Sequence, residues 1–246
     1  MYAVLDGPCT GAENMRRDEL LLERAVPVLR LYGWAPEAVS LGNSQTEHDV
    51  DAAAVREFGL DIVKRGTGGG GILHNATEVT YAVVVPIDFP GLPRDLPRSF
   101  AYLGRGVIVA LRRLGLPAEL ESVADLTREA LCYVRKQGTN VVVHGKKISG
   151  GAQRRTRSAV LQHGTIIIDR DEHRLSRVFR TDPATVCARV TSLRREGVDA
   201  SRDVVIETLL DSFAEVFGQL ERQPWAQGHD KMPAAALASA HGDHHR

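Results

Sequence analysis

His144-Gly145-Lys146-Lys147-Ile148-Ser149-Gly150-Gly151-Ala152-Gln153-Arg154 is the stretch on which the reading of this chain turns. The apolar run over 140–143 reads as a strand, and His144-Gly145 as the β-turn that ends it. That turn presents Lys147 on the next strand, over 147–149, among small residues that leave space around its ammonium group. A further strand follows over 161–168, opening with Leu161-Gln162-His163-Gly164-Thr165. A lysine in a confined pocket polarises a carbonyl oxygen or neutralises a carboxylate or phosphate. Taken alone, Lys147 is more often an ordinary solvated lysine.

Working outward, a second glycine-rich segment stands upstream, Lys64-Arg65-Gly66-Thr67-Gly68-Gly69-Gly70-Gly71-Ile72-Leu73-His74. Four successive glycines leave the backbone bare, so its N–H groups can approach a ligand closely. The segment lies between predicted strands over 60–64 and 72–74, with no helix after it, so it matches neither a P-loop nor a dinucleotide fingerprint. A bare glycine run is equally a flexible turn or bulge. Arg65 is placed to hold a phosphate or carboxylate, and His74 is a pocket group or a satisfied strand residue.

Further strands are predicted over 28–32, 38–41 and 79–85, the last bounded by Pro86 and apolar enough for burial on both faces. Helices are predicted over 13–25, 51–58, 99–114, 174–179 and 204–220. The helix at 51 takes Asp49 or Asp51 as its cap, and the one at 99 carries Leu103, Val107, Ala110, Leu111 and Leu114 at helical spacing. Strands and helices mix without a regular βαβ alternation. This predicts an α+β (mixed α/β) domain rather than a doubly wound sheet. Residues 223–246, rich in Ala, Gly and His, are expected to form a disordered tail after a domain spanning 1–222.

Lys plus Arg and Asp plus Glu both total 31, so nothing points to bulk attraction for nucleic acid or an anionic membrane. The start, Met1-Tyr2-Ala3-Val4-Leu5-Asp6, lacks the basic and apolar regions of a signal peptide, and no apolar run suggests a membrane span; the expected location is cytoplasmic. Cys9, Cys132 and Cys187 are far apart and form no Cys-x-x-Cys pair, so neither a disulfide framework nor a structural metal site is expected. Arg154, Arg155 and Arg157 form a basic run, either a solvated face or a docking patch for an acidic protein.

At this point the chain resembles a known family, the superfamily of lipoate–protein ligases, octanoyltransferases and biotin–lipoyl ligases. Residues 65–74 resemble its Arg-Arg/Pro-Ser/Thr-Gly-Gly pocket loop, with Gly66 as a departure. Residues 145–153 resemble its Gly-Arg/Lys-Lys-Ile/Val-Ser/Ala-Gly-Ser/Asn-Ala-Gln strand, with Gly151 as the departure. Leu161-Gln162-His163-Gly164-Thr165-Ile166, Leu31-Tyr32-Gly33-Trp34 and Ser40-Leu41-Gly42-Asn43-Ser44-Gln45 match three further elements in the right order. The resemblance covers roughly residues 1–220. It implies a mixed, largely antiparallel central sheet flanked by helices, the class II synthetase-like catalytic domain of biotin and lipoyl protein ligases.

Within the superfamily the chain is most similar to the cysteine-dependent octanoyltransferases. They carry a cysteine fifteen residues ahead of the pocket lysine, and Cys132 stands at that offset from Lys147, followed by the aromatic Tyr133. The resemblance implies transfer of an octanoyl group from acyl carrier protein, through a cysteine thioester, to a lysine of a lipoyl-carrier protein. The acceptor is the glycine-cleavage H protein or a dehydrogenase E2 lipoyl domain. It implies Cys132 and Lys147 as catalytic, with Arg65, Thr67, Gly68, Gly69, Gly70, His74, Gly150, Ala152, Gln153, His163 and Gly164 lining the acyl site. No cofactor is required on this reading. Three alternatives stay open. An ATP-dependent lipoate–protein ligase would use ATP and Mg2+. An amidotransferase would move octanoyl or lipoyl between carrier domains. A binding module would hold an acyl chain or a carrier without turnover. Asn75 where the loop usually has Asp, and Gln137 and Asn140 where serine and glutamate usually stand, are departures that bear on the acyl donor.

Overall fold

The computed structural model describes residues 1–121 and 140–225. Among these, a sheet of eight strands runs in the order β11-β1-β2-β6-β10-β9-β8-β7. The strands are β1 (Tyr2–Cys9), β2 (Val28–Trp34), β6 (Val79–Pro86), β7 (Glu119–Leu120), β8 (Val141–Val143), β9 (Lys146–Arg155), β10 (Ala159–Ile166) and β11 (Glu221–Pro224). β1 pairs in parallel with β2 and β11, and the remaining neighbours are antiparallel. The mixed, largely antiparallel sheet expected from the sequence is therefore present. A smaller sheet, β4-β3-β5, is made of β3 (Ala38–Leu41), β4 (Asp61–Lys64) and β5 (Ile72–His74).

β6 is buried along its whole length, because both faces of the large sheet are covered. On one face Tyr81, Val83 and Val85 pack with Leu103 and Leu111 of α3 (Leu96–Arg113) and Leu209 and Phe213 of α6 (Arg202–Phe217). On the other, Ala82 and Val84 pack with Met15, Leu21 and Leu22 of α1 (Gly11–Arg24) and with Leu161. Burying each large apolar side chain stabilises the fold by about 1.5–3 kcal/mol. The small sheet packs through Val39, Leu41, Ile72 and Leu73 against α2 (Ala52–Glu57), α4 (Glu172–Phe179) and α5 (Pro183–Arg189).

The helices begin where side-chain acceptors are available. Thr10, Asp95, Asp171 and Ser201 each take a backbone N–H of the first turn of α1, α3, α4 and α6. Asp51, not Asp49, caps α2, accepting from Ala53 and Ala54; Asp49 closes a short 3₁₀ turn with Thr46 instead. Three expectations need correction. The strand predicted over 28–32 runs on to Trp34, and all of β2 is buried. β1 is absent from the reading, because Asp6-Gly7-Pro8 interrupts its apolar pattern; the structure accommodates them with a register shift between Leu5 and Pro8. β11 runs to Pro224, beyond the boundary placed at residue 222, because it is a polar edge strand whose hydrogen bonding to β1 leaves no mark on composition. Among the described residues, no helix is long and apolar enough to cross a membrane.

Candidate active site

The α1 face of the sheet holds a cavity, partly open to solvent, where β2, β6, β9 and β10 meet the glycine segment. Met15, Tyr32, Trp34 and Ile72 supply its apolar wall, and Arg65, His74, Thr80, His163 and Thr165 its polar one. β10 builds this wall by alternation: His163 and Thr165 point into the cavity, whereas Gln162 points to α3.

β9 reaches the same cavity by breaking alternation. Val141 of β8 pairs with Ser149 but Val142 pairs with Lys147, so Ile148 is an extra residue, a β-bulge. Ile148 joins the core under α3 and α6. Lys147 is thereby turned to the opposite face, where its side chain lies over Gly150. A Cβ at Gly150 would sit 2.5 Å from Lys147 Cε and 2.7 Å from its Nζ. Gly150 pairs directly with Thr165, which places the lysine beside the cavity wall. Lys147 is 3% exposed. The turn feeding the strand has positive φ at both His144 (49°) and Gly145 (72°), as a two-residue I′ hairpin requires.

The glycine segment is held by Arg65. Its Nη2 donates to the carbonyls of Gly68 (3.0 Å) and Gly70 (2.9 Å), its Nη1 to Ser40 O (2.6 Å) and Oγ (2.8 Å), and its Nε to Thr67 Oγ1 (3.3 Å). The guanidinium suggested as a ligand for phosphate or carboxylate is thus turned onto the loop's own acceptors. Gly69 has φ of 94°, and a side chain at Gly42 would collide with its carbonyl oxygen, so the loop packs directly on the end of β3. The departure at Gly66 has a steric reason as well. A Cβ there would displace the ends of the Glu19 and Arg154 side chains, which pair with each other over the bare backbone.

Both histidines lie on this network. His163 Nδ1 is 3.0 Å from Asp18 Oδ2, and its Nε2 is 2.8 Å from Thr67 Oγ1. His74 Nδ1 is 2.6 Å from Glu78 Oε1, and its Nε2 is 2.7 Å from Ser40 Oγ. The His74 ring stacks on Trp34 at 3.8 Å, and the Trp34 indole N–H donates to Thr80 Oγ1 (2.9 Å). Asp18 also accepts from Arg30 Nη1 (2.7 Å) and the Tyr32 hydroxyl (3.0 Å). Burial alone would raise the Asp18 pKa, but the His163 hydrogen bond and Arg30 outweigh it and hold the carboxyl below the usual range. Burial dominates at His74, lowering its pKa despite Glu78, and it pushes the Tyr81 hydroxyl on the far face up to about 12.

Of the residues named from the sequence, Arg65, His74, Ala152, His163 and Gly164 line this cavity. Thr67, Gly68 and Gly70 adjoin it through their bonds to Arg65 and His163, and Lys147 lies against Gly150, whose strand partner Thr165 is in the lining. Gln153 stands on the opposite face, bonded to Gln162 (3.0 Å) and Ser99 (3.0 Å). Cys132 lies outside the described residues. The segment that carries it joins the described fold at Glu121 and Asn140, whose backbones are hydrogen-bonded (2.8 Å). Asn140 Oδ1 is 3.9 Å from the Cβ position of Gly150, so this junction lies beside Lys147. Of the basic run, Arg154 pairs with Glu19 and Arg155 bonds Ser99 Oγ (2.9 Å), while Arg157 is exposed.

Sequence reasoning misses Asp18, Glu78 and Thr80, and Ser40 and Thr165 enter it only within the matching stretches 40–45 and 161–166. One signal was there for Asp18: at i+3 from Met15 and i−4 from Leu22, it is an acid on the apolar face of α1.

Residues 10–214 match the family model for the lipoyl protein ligase A/B catalytic domain. The octanoyltransferase LipM of Geobacillus kaustophilus is 35% identical over 230 residues, covering 86% of this chain and 82% of that protein. The LipM enzyme of Lysinibacillus sphaericus is 32% identical, covering 94% and 91%, and that of Bacillus subtilis 35% identical, covering 70% and 67%. Among solved structures, lipoate-protein ligase A bound with ATP superposes with a TM-score of 0.79 at 24% identity, covering 92% of this chain and 90% of that one. A bi-partite lipoate protein ligase from Thermoplasma acidophilum, studied with its E2 lipoyl domain, gives 0.77 at 22% identity, covering 92% and 87%. Fold, motif order and sequence relationship agree: the chain belongs to the lipoyl protein ligase A/B catalytic-domain family, alongside the LipM octanoyltransferases.

Proposed function

We infer that this protein is an octanoyltransferase of lipoate biosynthesis, the activity of the LipM enzymes to which it is related over most of its length. The observation that carries the chemistry is Lys147, an ammonium group nearly sealed from solvent and packed over Gly150, whose strand partner Thr165 lines the cavity. In our reading the donor is octanoyl-acyl carrier protein and Cys132 is the nucleophile. Its thiolate attacks the donor thioester carbonyl, the C–S bond to the carrier breaks, and the carrier thiolate leaves and takes a proton. The acyl group is then held as a thioester on Cys132. One thioester replaces another, so this step is close to isoenergetic. A lysine amine of a lipoyl-carrier protein next attacks the same carbonyl. The C–S bond to Cys132 breaks, an amide forms, and the amine's surplus proton leaves. Splitting the transfer this way lowers each barrier. Lys147 donates to the oxygen that becomes negative in both tetrahedral intermediates and favours the Cys132 thiolate. The acyl tail occupies the wall formed by Met15, Tyr32, Trp34 and Ile72. No step in this sequence consumes ATP.

The test is an intact-mass measurement after incubation with octanoyl-acyl carrier protein without ATP. The expected result is a hydroxylamine-labile octanoyl increment on the wild type that Cys132→Ser lacks. No increment on the wild type, together with ATP-dependent transfer of free octanoate to a lipoyl domain, would replace this reading with the ligase one.

A further inference from the structure

Two chains of hydrogen bonds of the same composition meet at Arg65. One runs Asp18–His163–Thr67–Arg65, the other Glu78–His74–Ser40–Arg65, and every link is between 2.6 and 3.3 Å. Their polarity follows from the donors available. Arg65 only donates, so the Thr67 and Ser40 oxygens accept from it and have their own protons to place. The nearest acceptors for those protons are the Nε2 lone pairs of His163 and His74. Nε2 must then be unprotonated in both rings, so the protons sit on Nδ1 and point at the carboxylates. The reverse tautomer would set a lone pair against each carboxylate and leave two buried hydroxyl protons with no acceptor in the chain.

We propose that Asp18 and Glu78 are positioning residues of the acyl site, a role that rests on reading the cavity as that site: each fixes one buried histidine as its Nδ1–H tautomer, and the two histidines, through Thr67 and Ser40, fix the Arg65 fork that shapes the glycine loop. A run of four glycines has no side chains to hold itself and loses more backbone entropy on ordering than any other sequence. The fork supplies what the loop lacks. With the carbonyls of Gly68 and Gly70 tied to Nη2, those peptides cannot flip their oxygens toward a bound acyl group. The depressed pKa values of His74 and Asp18 agree with a neutral ring and an ionised carboxylate in these chains.

The experiment is two-bond 1H–15N correlation on histidine-labelled protein at about pH 8, where an imidazole of ordinary pKa is neutral, with amide exchange of Gly68, Gly69, Gly70 and Gly71 on the same samples. In the wild type both rings are expected as Nδ1–H. Asp18→Asn turns an amide NH2 toward His163, switches that ring alone to Nε2–H and raises glycine exchange about tenfold, the scale of one buried hydrogen bond. Glu78→Gln keeps its amide oxygen toward His74, because Oε1 also accepts from Thr165 (2.7 Å) and Thr80 (3.1 Å), and so retains the wild-type tautomer. Asp18→Glu keeps the carboxylate and the wild-type tautomer. Thr67→Val, which cuts the first chain beyond the ring, keeps His163 as Nδ1–H and still raises glycine exchange, and this variant decides the matter if Asp18→Asn does not fold. An Nε2–H ring in the wild type, or switched tautomers with unchanged glycine exchange, overturns the proposal. Neither readout depends on turnover. If the wild type forms no acyl-thioester while the rings behave as stated, the transferase reading fails and the positioning role stands.

Discussion

The glycine loop at residues 65–74 and the lysine hairpin at residues 144–153 face the same cavity and are similarly rich in glycine, yet they are held by opposite means. The loop owes its shape to side chains: Arg65, two hydroxyls, two histidines and two carboxylates, arriving from α1, β3, β10 and the turn before β6 as well as from the loop itself. The hairpin owes its shape to the backbone ladder, with β10 on one side, β8 on the other and one bulge at Ile148. A structure held by polar side chains is sensitive to proton uptake and to loss of a single partner. A structure held by a ladder is sensitive to volume, because neither backbone can yield.

The largest effects should fall on the hairpin's lysine. Lys147→Met removes the ammonium while keeping most of the side-chain bulk, and kcat/KM for octanoyl transfer should fall by about 10²–10³, the cost of losing one preorganised oxyanion donor. A loss of less than about fivefold would show that Lys147 only packs. Gly150→Ala tests the same group without touching it. The added methyl meets Cε and Nζ of Lys147 at 2.5 and 2.7 Å, so the ammonium must move by an ångström or so. A misplacement of that size costs about a hundredfold in rate. The thermal midpoint should change little, because the clash is with the far end of a flexible side chain.

The loop should instead respond to acid. His74 is held below its ordinary pKa, so between about pH 6.5 and that lower value the unfolded chain binds a proton that the folded one does not. Stability falls as pH drops through this window. Asp18 is also depressed, so its contribution is complete above about pH 4 and is lost as pH falls through its lower folded value. At the hairpin the corresponding contact is the exposed His144–Glu196 pair at 3.0 Å, a type worth little. Urea midpoints measured against pH should decline in two stages in the wild type. In Asp18→Asn the lower stage should shrink while the upper stage persists. A variant whose two stages both match the wild type would show that Asp18 is not a stabilising carboxylate.

The same difference explains what could be read from sequence. The hairpin is local: a valine run, a His-Gly turn and a lysine among small residues lie within fifteen positions, so turn, strand and lysine were all legible. The bulge was not, since Ile148 and Lys147 fit a regular strand pattern and only the pairing with β8 shows the extra residue. The loop was legible as a glycine run with Arg65 and His74 at its ends, but not in how it is held. Asp18 and His163 are 145 positions apart and Thr67 and His163 are 96 apart, and no local pattern links them. A carboxylate in a helix such as α1 also reads first as a surface group, and only its place on the face of Met15 and Leu22 argues otherwise. Gln153 shows the converse error. It belongs to the motif by resemblance, yet strand alternation sends it to the α3 side of the sheet, where it bonds Ser99 and Gln162.

The smallest effect separates conformation from volume on one hairpin. Gly145 has a φ of 72° and nothing within 4 Å of its Cβ position, so Gly145→Ala meets no clash and carries only the backbone cost of a positive φ. That cost is about 1 kcal/mol, or a drop of about 2–4 °C in Tm for a chain of this size. Activity should be close to wild type, because Lys147 is held by its pairing with Val142 of β8 and its bridge to Val190, which the substitution leaves in place. Gly150 has no such backbone requirement, and the same glycine-to-alanine change there should leave Tm nearly unchanged while removing most of the activity. If Gly145→Ala lowered activity as much as Gly150→Ala, the turn would be positioning the lysine, and the division drawn between loop and ladder would not hold.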